Sequence, residues 1–200
     1  MSIVVEHEKR RWEILEKALD VFIEEGFEDA TFQKIADRCG ITRTTLYIYF
    51  KNKRDIFNFS IKQFLSVLEN AITEITKKKN ISCTEKLTQV MNVIIKRLGE
   101  NRRLLSAVLD YLVSKSDLDP GYRVRRRTVR TRHILTAMLI EGKKAGEFPS
   151  SMDVKDVNEL LYSFLESAVF RLVVLRKSSV EELTDAMNLA VKLLAINPRD

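Results

Sequence analysis

Only three prolines and six glycines interrupt 200 residues, and between them apolar side chains recur at three- and four-residue spacing. Such spacing lines one face of a 3.6-residue helical turn, whereas a half-buried strand needs strict alternation. No alternating stretch of useful length occurs, so the fold class read from the sequence is all-α, with about nine helices. Trp12, Leu15, Ala18, Leu19, Phe22 and Ile23 give an inward face to a helix from about His7 to Glu25, which Gly26 ends. Thr31 caps a short second helix holding Ile35 and Ala36, and Gly40 supplies the tight turn after it. Thr42 caps a third, whose inward residues are Leu46 and Phe50.

The remaining chain reads as longer helices. Asn52 caps one that runs to about Lys77 with Ile56, Phe59, Phe64, Leu65, Leu68 and Ile72 inward. Others follow near Thr84 to Leu98 and Arg102 to Ser116, with a long one opening at Asp119-Pro120, where an aspartate cap precedes proline at the first helical position. Two more, about Val154 to Arg176 and Val180 to Ile196, close the chain.

Several function classes lose their parts at this level. The longest run without Asp, Glu, Lys or Arg is Leu87 to Ile95, far short of the roughly 18 apolar residues of a membrane span. Residues Met1 to Arg11 carry Glu6, Glu8, Lys9, Arg10 and Arg11 but no apolar secretory segment, so a cytoplasmic location is expected. Cys39 and Cys83 stand far apart and outside any Cys/His cluster, which argues against a disulfide scaffold or a structural zinc site; no metal or cofactor is expected. The two histidines, His7 and His133, form no His-Glu-x-x-His pair, and neither a Gly-x-Ser-x-Gly elbow nor a phosphate-binding Gly-Lys-Ser/Thr loop is present. An enzyme is therefore not the reading, and no catalytic residue is assigned.

The formal net charge of +6 is concentrated. From Thr31 to Arg54 the basic residues Lys34, Arg38, Arg43, Lys51, Lys53 and Arg54 face Asp37 alone, and from Pro120 to Gly146 eight basic residues face Glu141. Patches of this kind attract phosphate, although a solvated basic face is the commoner outcome.

The first patch coincides with the stretch from Thr31 to Phe57, in which two short helices joined by a glycine-containing turn form a helix-turn-helix whose second helix suits the DNA major groove. Thr31, Ile35-Ala36, Gly40-Ile41-Thr42, Thr45-Leu46-Tyr47, Tyr49-Phe50 and Lys53 occur in an order and spacing that resembles the TetR/AcrR family of transcriptional regulators. Departures from the family's usual pattern are Thr44 in place of glycine, Cys39 in place of alanine and Arg54 in place of an acidic residue. The resemblance implies a three-helix DNA-binding domain over residues 1–52, followed at 53–200 by a larger helical domain that binds an effector and dimerises.

Chemistry supplies roles at the matched positions. Thr31, at a helix N-terminus, can offer a hydroxyl and backbone N–H groups to a phosphate; Tyr47 and Tyr49 can donate phenolic hydrogen bonds to phosphates and Lys53 can neutralise another. Arg43 and Thr44 are the base readers, arginine through guanine O6 and N7, while Thr42 and Thr45 suit either task. In an arbitrary helix a Tyr-x-Tyr-Phe string serves packing; here the surrounding motif gives its tyrosines to DNA. Thr42 is in any case a cap worth about 1 kcal/mol.

The resemblance further implies a homodimer on a palindromic operator, with reading helices about 34–36 Å apart. Candidate interface residues are Leu161, Phe164, Leu165, Ala168, Leu172, Met187, Ala190 and Leu194, and candidates for lining a pocket for an unknown small-molecule effector are Phe64, Met91, Tyr111, Met138 and Tyr162. Full release of DNA by such an effector requires about 5.5 kcal/mol of preference between two states; release and promotion of binding both remain open. Arg123, Arg126, Arg127 and Arg130 share one face of the seventh helix, which acidic neighbours or an acidic effector would offset, the former favoured. The functional reading is a ligand-responsive repressor. A helical small-molecule carrier and a non-specific nucleic-acid binder are the alternatives, separated from it by sequence-specific DNA affinity.

Overall fold

The computed structural model describes residues 2–114, 119–176 and 178–195, with side chains at 5–112, 129–176 and 178–195. Among these residues there are nine α-helices and no strand: α1 (Ser2–Asp29), α2 (Phe32–Cys39), α3 (Arg43–Tyr49), α4 (Lys53–Thr76), α5 (Cys83–Glu100), α6 (Arg102–Ser114), α7 (Asp119–Lys144), α8 (Val154–Phe170) and α9 (Val180–Ala195), with a π-helical turn at Arg171–Leu175. They form two compact units, one of Met1–Leu65 with Arg103–Pro120 and one of Ser66–Arg102 with Gly121–Asp200. No described helix is long and apolar enough to cross a membrane.

The first unit is built on α1. Its buried stripe is Ile14, Leu15, Ala18, Leu19, Val21 and Phe22, while Trp12 and Ile23, expected inward, are exposed. Both lie about 100° or more around the helix from the centre of that stripe, beyond the arc its neighbours cover. Gly26 breaks the helix at φ 78°, a conformation that glycine adopts without the steric cost a side chain adds. Two side chains hold this kink. The Asp110 carboxylate on α6 accepts from the Phe27 N–H at 3.4 Å, and Lys53 Nζ at the start of α4 donates to the carbonyls of Phe27 and Glu28 at 2.7 Å each. Beneath them Phe27 lies 5.3 Å from Phe22, 5.0 Å from Phe57 and 4.4 Å from Tyr111 between ring centroids, so that one aromatic cluster joins α1, α4 and α6.

In the second unit α5 packs against α9 and α8. Leu87, Val90, Met91, Ile94, Ile95 and Leu98 of α5, with Leu183, Met187 and Val191 of α9, are buried. The open N-terminus of α5 is closed from the turn after α7, where the Glu147 carboxylate accepts from the N–H of Cys83 at 2.9 Å, the N–H of Thr84 at 2.8 Å and the Thr84 hydroxyl at 2.9 Å. Burial alone would raise the Glu147 carboxyl, but these donors outweigh it and hold it below the usual carboxylate range. A lowered native value stabilises the fold above the unfolded value and ceases to do so as pH falls through the native one. Glu147→Gln is therefore expected to cost about 1–2 kcal/mol at pH 7, and urea titrations should show the gap from wild type closing below about pH 4.

Of the arginine face on α7, Arg130 pairs with Glu69 at 2.9 Å. Arg123, Arg126 and Arg127 lie outside the residues whose side chains are described.

Candidate nucleic-acid interface

Two threonine caps and one glycine set the helix-turn-helix. Thr31 Oγ1 accepts from the Lys34 N–H at 3.2 Å and opens α2, while Gly40 at φ 67° ends it. Thr42 Oγ1 accepts from the Thr45 N–H at 3.0 Å and opens α3, and the hydroxyls of Thr42 and Thr45 lie 2.8 Å apart. On α3 only Leu46 is fully buried, with Phe50 buried just beyond the helix. Leu46 is the one fully buried anchor, Thr45 and Tyr49 are half-buried, and the other four residues of the seven-residue helix stand outside.

The outer face carries Arg43, Thr44, Tyr47 and Ile48, all exposed. Arg43 Nη2 donates to Tyr47 Oη at 3.1 Å, and its guanidinium lies 5.7 Å from the centre of that ring, so the two side chains are oriented as a pair before any ligand arrives. Phe32 of α2 supports the Tyr47 ring at 4.8 Å. Ile48, 68% exposed, shares this outer face and was not among the candidates named from the sequence; the signal available was an isoleucine one position after a tyrosine already placed outward.

The basic residues of this segment divide by partner. Lys34 pairs with Glu25 at 2.6 Å and Arg38 with Glu24, which holds the Glu24 carboxyl below its ordinary range through that hydrogen bond. Lys53 is engaged with the end of α1, a task in addition to the phosphate contact expected of it. Tyr49, half-buried at the end of α3, stacks on His7 of α1 at 4.7 Å.

The candidates further along are distributed differently. Phe64 and Tyr111 pack against the core of the first unit, and Tyr111 meets Phe27 and Phe57 edge-on. Met91, Met138 and Tyr162 are buried in the second, where the Arg132 guanidinium lies 3.7 Å from the Tyr162 ring centre and 2.5 Å from Glu159. Among the proposed interface residues, Leu161, Leu165, Ala168, Leu172 and Met187 are buried within the single chain, and Phe164, Ala190 and Leu194 are half-buried. The apolar side chains that α8, the π-helical turn and α9 leave exposed are instead Leu160, Phe170, Val174, Leu175, Leu189 and Leu193. A wide apolar stripe marks burial on two sides without telling which side its own chain covers.

Comparison with known proteins follows the same division. Residues 14–58 match the model of bacterial regulatory proteins of the tetR family, and residues 56–195 match that of the YsiA-like protein C-terminal region. A curated relative, the fatty acid metabolism regulator protein of Bacillus subtilis (strain 168), is 27% identical over 161 residues, covering 78% of this chain and 80% of its own. The crystal structure of the transcriptional regulator FadR from Bacillus subtilis in complex with stearoyl-CoA superposes with a TM-score of 0.70 at 25% identity, covering 92% of this chain and 97% of that one. The ketosteroid transcriptional regulator KstR2 of Mycobacterium tuberculosis shares the fold at a TM-score of 0.75 and 19% identity, covering 94% and 96% of the two chains.

Proposed function

The chain belongs to the tetR family of bacterial regulatory proteins, DNA-binding regulators of transcription rather than enzymes, and we propose that it is a homodimeric repressor that leaves a palindromic operator when it binds a long-chain acyl thioester of coenzyme A. The observation that carries the DNA part is α3 itself, where Leu46 is fully buried and Arg43, Thr44, Tyr47 and Ile48 stand outside it. Reading belongs to residues 1–52, and effector binding and pairing to residues 53–200. Arg43 and Thr44 read bases, Ile48 offers an apolar surface to a thymine methyl, and Tyr47, Tyr49, Thr31 and Lys53 contact phosphates. Thr42 and Thr45, bonded to each other across the first turn of α3, present their remaining hydrogen-bonding capacity to either. Leu160, Phe170, Val174, Leu175, Leu189 and Leu193 form the surface for the second subunit, since exposed apolar groups on α8, the π-helical turn and α9 gain from burial.

The acyl-CoA assignment rests on the B. subtilis relatives, one named for fatty acid metabolism and one crystallised with stearoyl-CoA. Fluorescence anisotropy on an operator fragment tests it. Stearoyl-CoA should weaken binding at least tenfold while free coenzyme A leaves it unchanged; no response to acyl-CoA of any chain length removes the effector assignment and leaves the DNA reading intact.

Arg43 and Tyr47, although hydrogen-bonded to each other, are given different roles, one reading bases and one contacting phosphate. Arg43→Ala should cost about 1–3 kcal/mol on the operator and nearly nothing on random DNA, whereas Tyr47→Phe should weaken both by one common factor. Equal losses on the two DNAs for Arg43→Ala would remove it from the readers.

A further inference from the structure

The inward face of α1 changes character along its length. From Phe22 through Ala18 to Leu15 and Ile14 it is apolar and buried, and one to two turns nearer the N-terminus the same face carries Arg11 and then His7. Arg11 is accommodated by aromatic faces: its guanidinium lies 4.1 Å from the Phe59 ring centre and 5.0 Å from that of Phe50, with Glu8 at 3.6 Å. The helix begins at Ser2, five residues before the start expected at about His7, so His7 lies within α1 rather than at its first residue. It stacks on Tyr49 with ring centres 4.7 Å apart and planes 30° from parallel. No described residue hydrogen-bonds its ring nitrogens, and the side chain stays half-exposed beside the phenol.

We propose that His7 is a further residue of the DNA interface: it positions Tyr49 by stacking and, as the imidazolium, binds the backbone phosphate beside the one the phenol contacts, so that DNA binding takes up a proton. This rests on the reading of α3 as the DNA-contacting helix. Imidazole is the side chain whose ordinary titration falls between pH 5 and 8, and a phosphate within reach favours its charged form. The charges around it do not cancel that attraction. On α1, Glu8 is taken by Arg11 and Arg10 by Glu13 at 2.6 Å, with Glu6 adjacent in sequence; α3 presents the Tyr49 phenol, and α4 presents the ring of Phe59 under Arg11. A value raised in the complex adds affinity that is fully present below the free-protein value and is lost as pH rises through the bound value.

Operator affinity measured at constant ionic strength should therefore rise about fivefold from pH 8 to pH 6 in the wild type. His7→Phe, which keeps a stacking ring without a proton, should give a flat profile that meets the wild type at pH 8; His7→Ala should be weaker throughout, with helicity by circular dichroism confirming that both variants fold. Because the chain has only two histidines, NMR titration of His7 and His133 with and without DNA reads the proton directly, and only His7 should move upward. A pH dependence that persists in His7→Phe, or a His7 titration unchanged by DNA, overturns the proposal. Absence of any bound fragment at any pH, for every variant, overturns the DNA reading itself and this inference with it.

Discussion

Phe27→Ala is expected to cost about 3–5 kcal/mol, the range for removing a buried aromatic ring, and to abolish operator binding at temperatures where the wild type still binds. Phe27 is 3% exposed and contacts Phe22, Phe57 and Tyr111, so its loss opens a cavity where α1, α4 and α6 meet. It also lies beneath Lys53, whose ammonium sits 4.9 Å from the ring centre and bonds to the Phe27 carbonyl. When the ring goes, the segment after Gly26 loses the packing that holds it against the first turn of α4, and Lys53, proposed above to contact phosphate, loses its orientation. Urea unfolding followed by tryptophan fluorescence of Trp12 gives the stability term; Phe27→Leu, which fills most of the volume, should recover more than half of it. A Phe27→Ala protein of wild-type stability would contradict the packing described for this cluster.

Gly142→Ala should be the most damaging methyl addition in the second unit, at the upper end of the roughly 1–3 kcal/mol typical of overpacking. A Cβ built on Gly142 overlaps the ring of Phe148 and comes within 3.1 Å of Cys83 Cβ, between a buried ring and the start of a helix. Any shift of Phe148 displaces its neighbour Glu147, and with it the carboxylate that closes the N-terminus of α5. The energetic penalty is therefore steric first and electrostatic second. Combining Gly142→Ala with Phe148→Leu should return part of the lost stability, because the smaller side chain yields the space; additive losses in the double variant would show that the two residues do not compete for it.

The helix-turn-helix was legible because local chemistry decides it. Thr31 and Thr42 cap the helices they were expected to cap, and Gly40 adopts the left-handed turn, since each of these contacts spans three or four residues. Longer-range outcomes were not legible in the same way. Trp12 and Ile23 sit on an apolar stripe yet end exposed, because a helical period gives an angle and not the neighbour that will cover it. Lys53 looked like a phosphate partner alone until the chain brought two carbonyls of α1 to it. The helix α1 starts at Ser2, five residues before the expected start at about His7, and in its early turns His7 and Arg11 meet the aromatic rings of Tyr49, Phe50 and Phe59, contacts between elements that the periodicity of α1 does not reveal. Five of the eight residues selected for subunit pairing turned out to be the chain's own core for the same reason as Trp12 in reverse.

The central claim, sequence-specific recognition through α3 by a symmetric pair of subunits, is tested most directly by selecting bound fragments from sheared source-genome DNA with the purified protein at about 150 mM salt, then measuring their affinity and mapping the protected bases. The account predicts enrichment of a palindrome whose half-sites lie about one helical turn apart or a multiple of it, bound at least 10³-fold more tightly than random DNA. Binding of all fragments with similar affinity and a steep salt dependence would contradict it, placing the basic surface of residues 31–54 in non-specific phosphate contact instead.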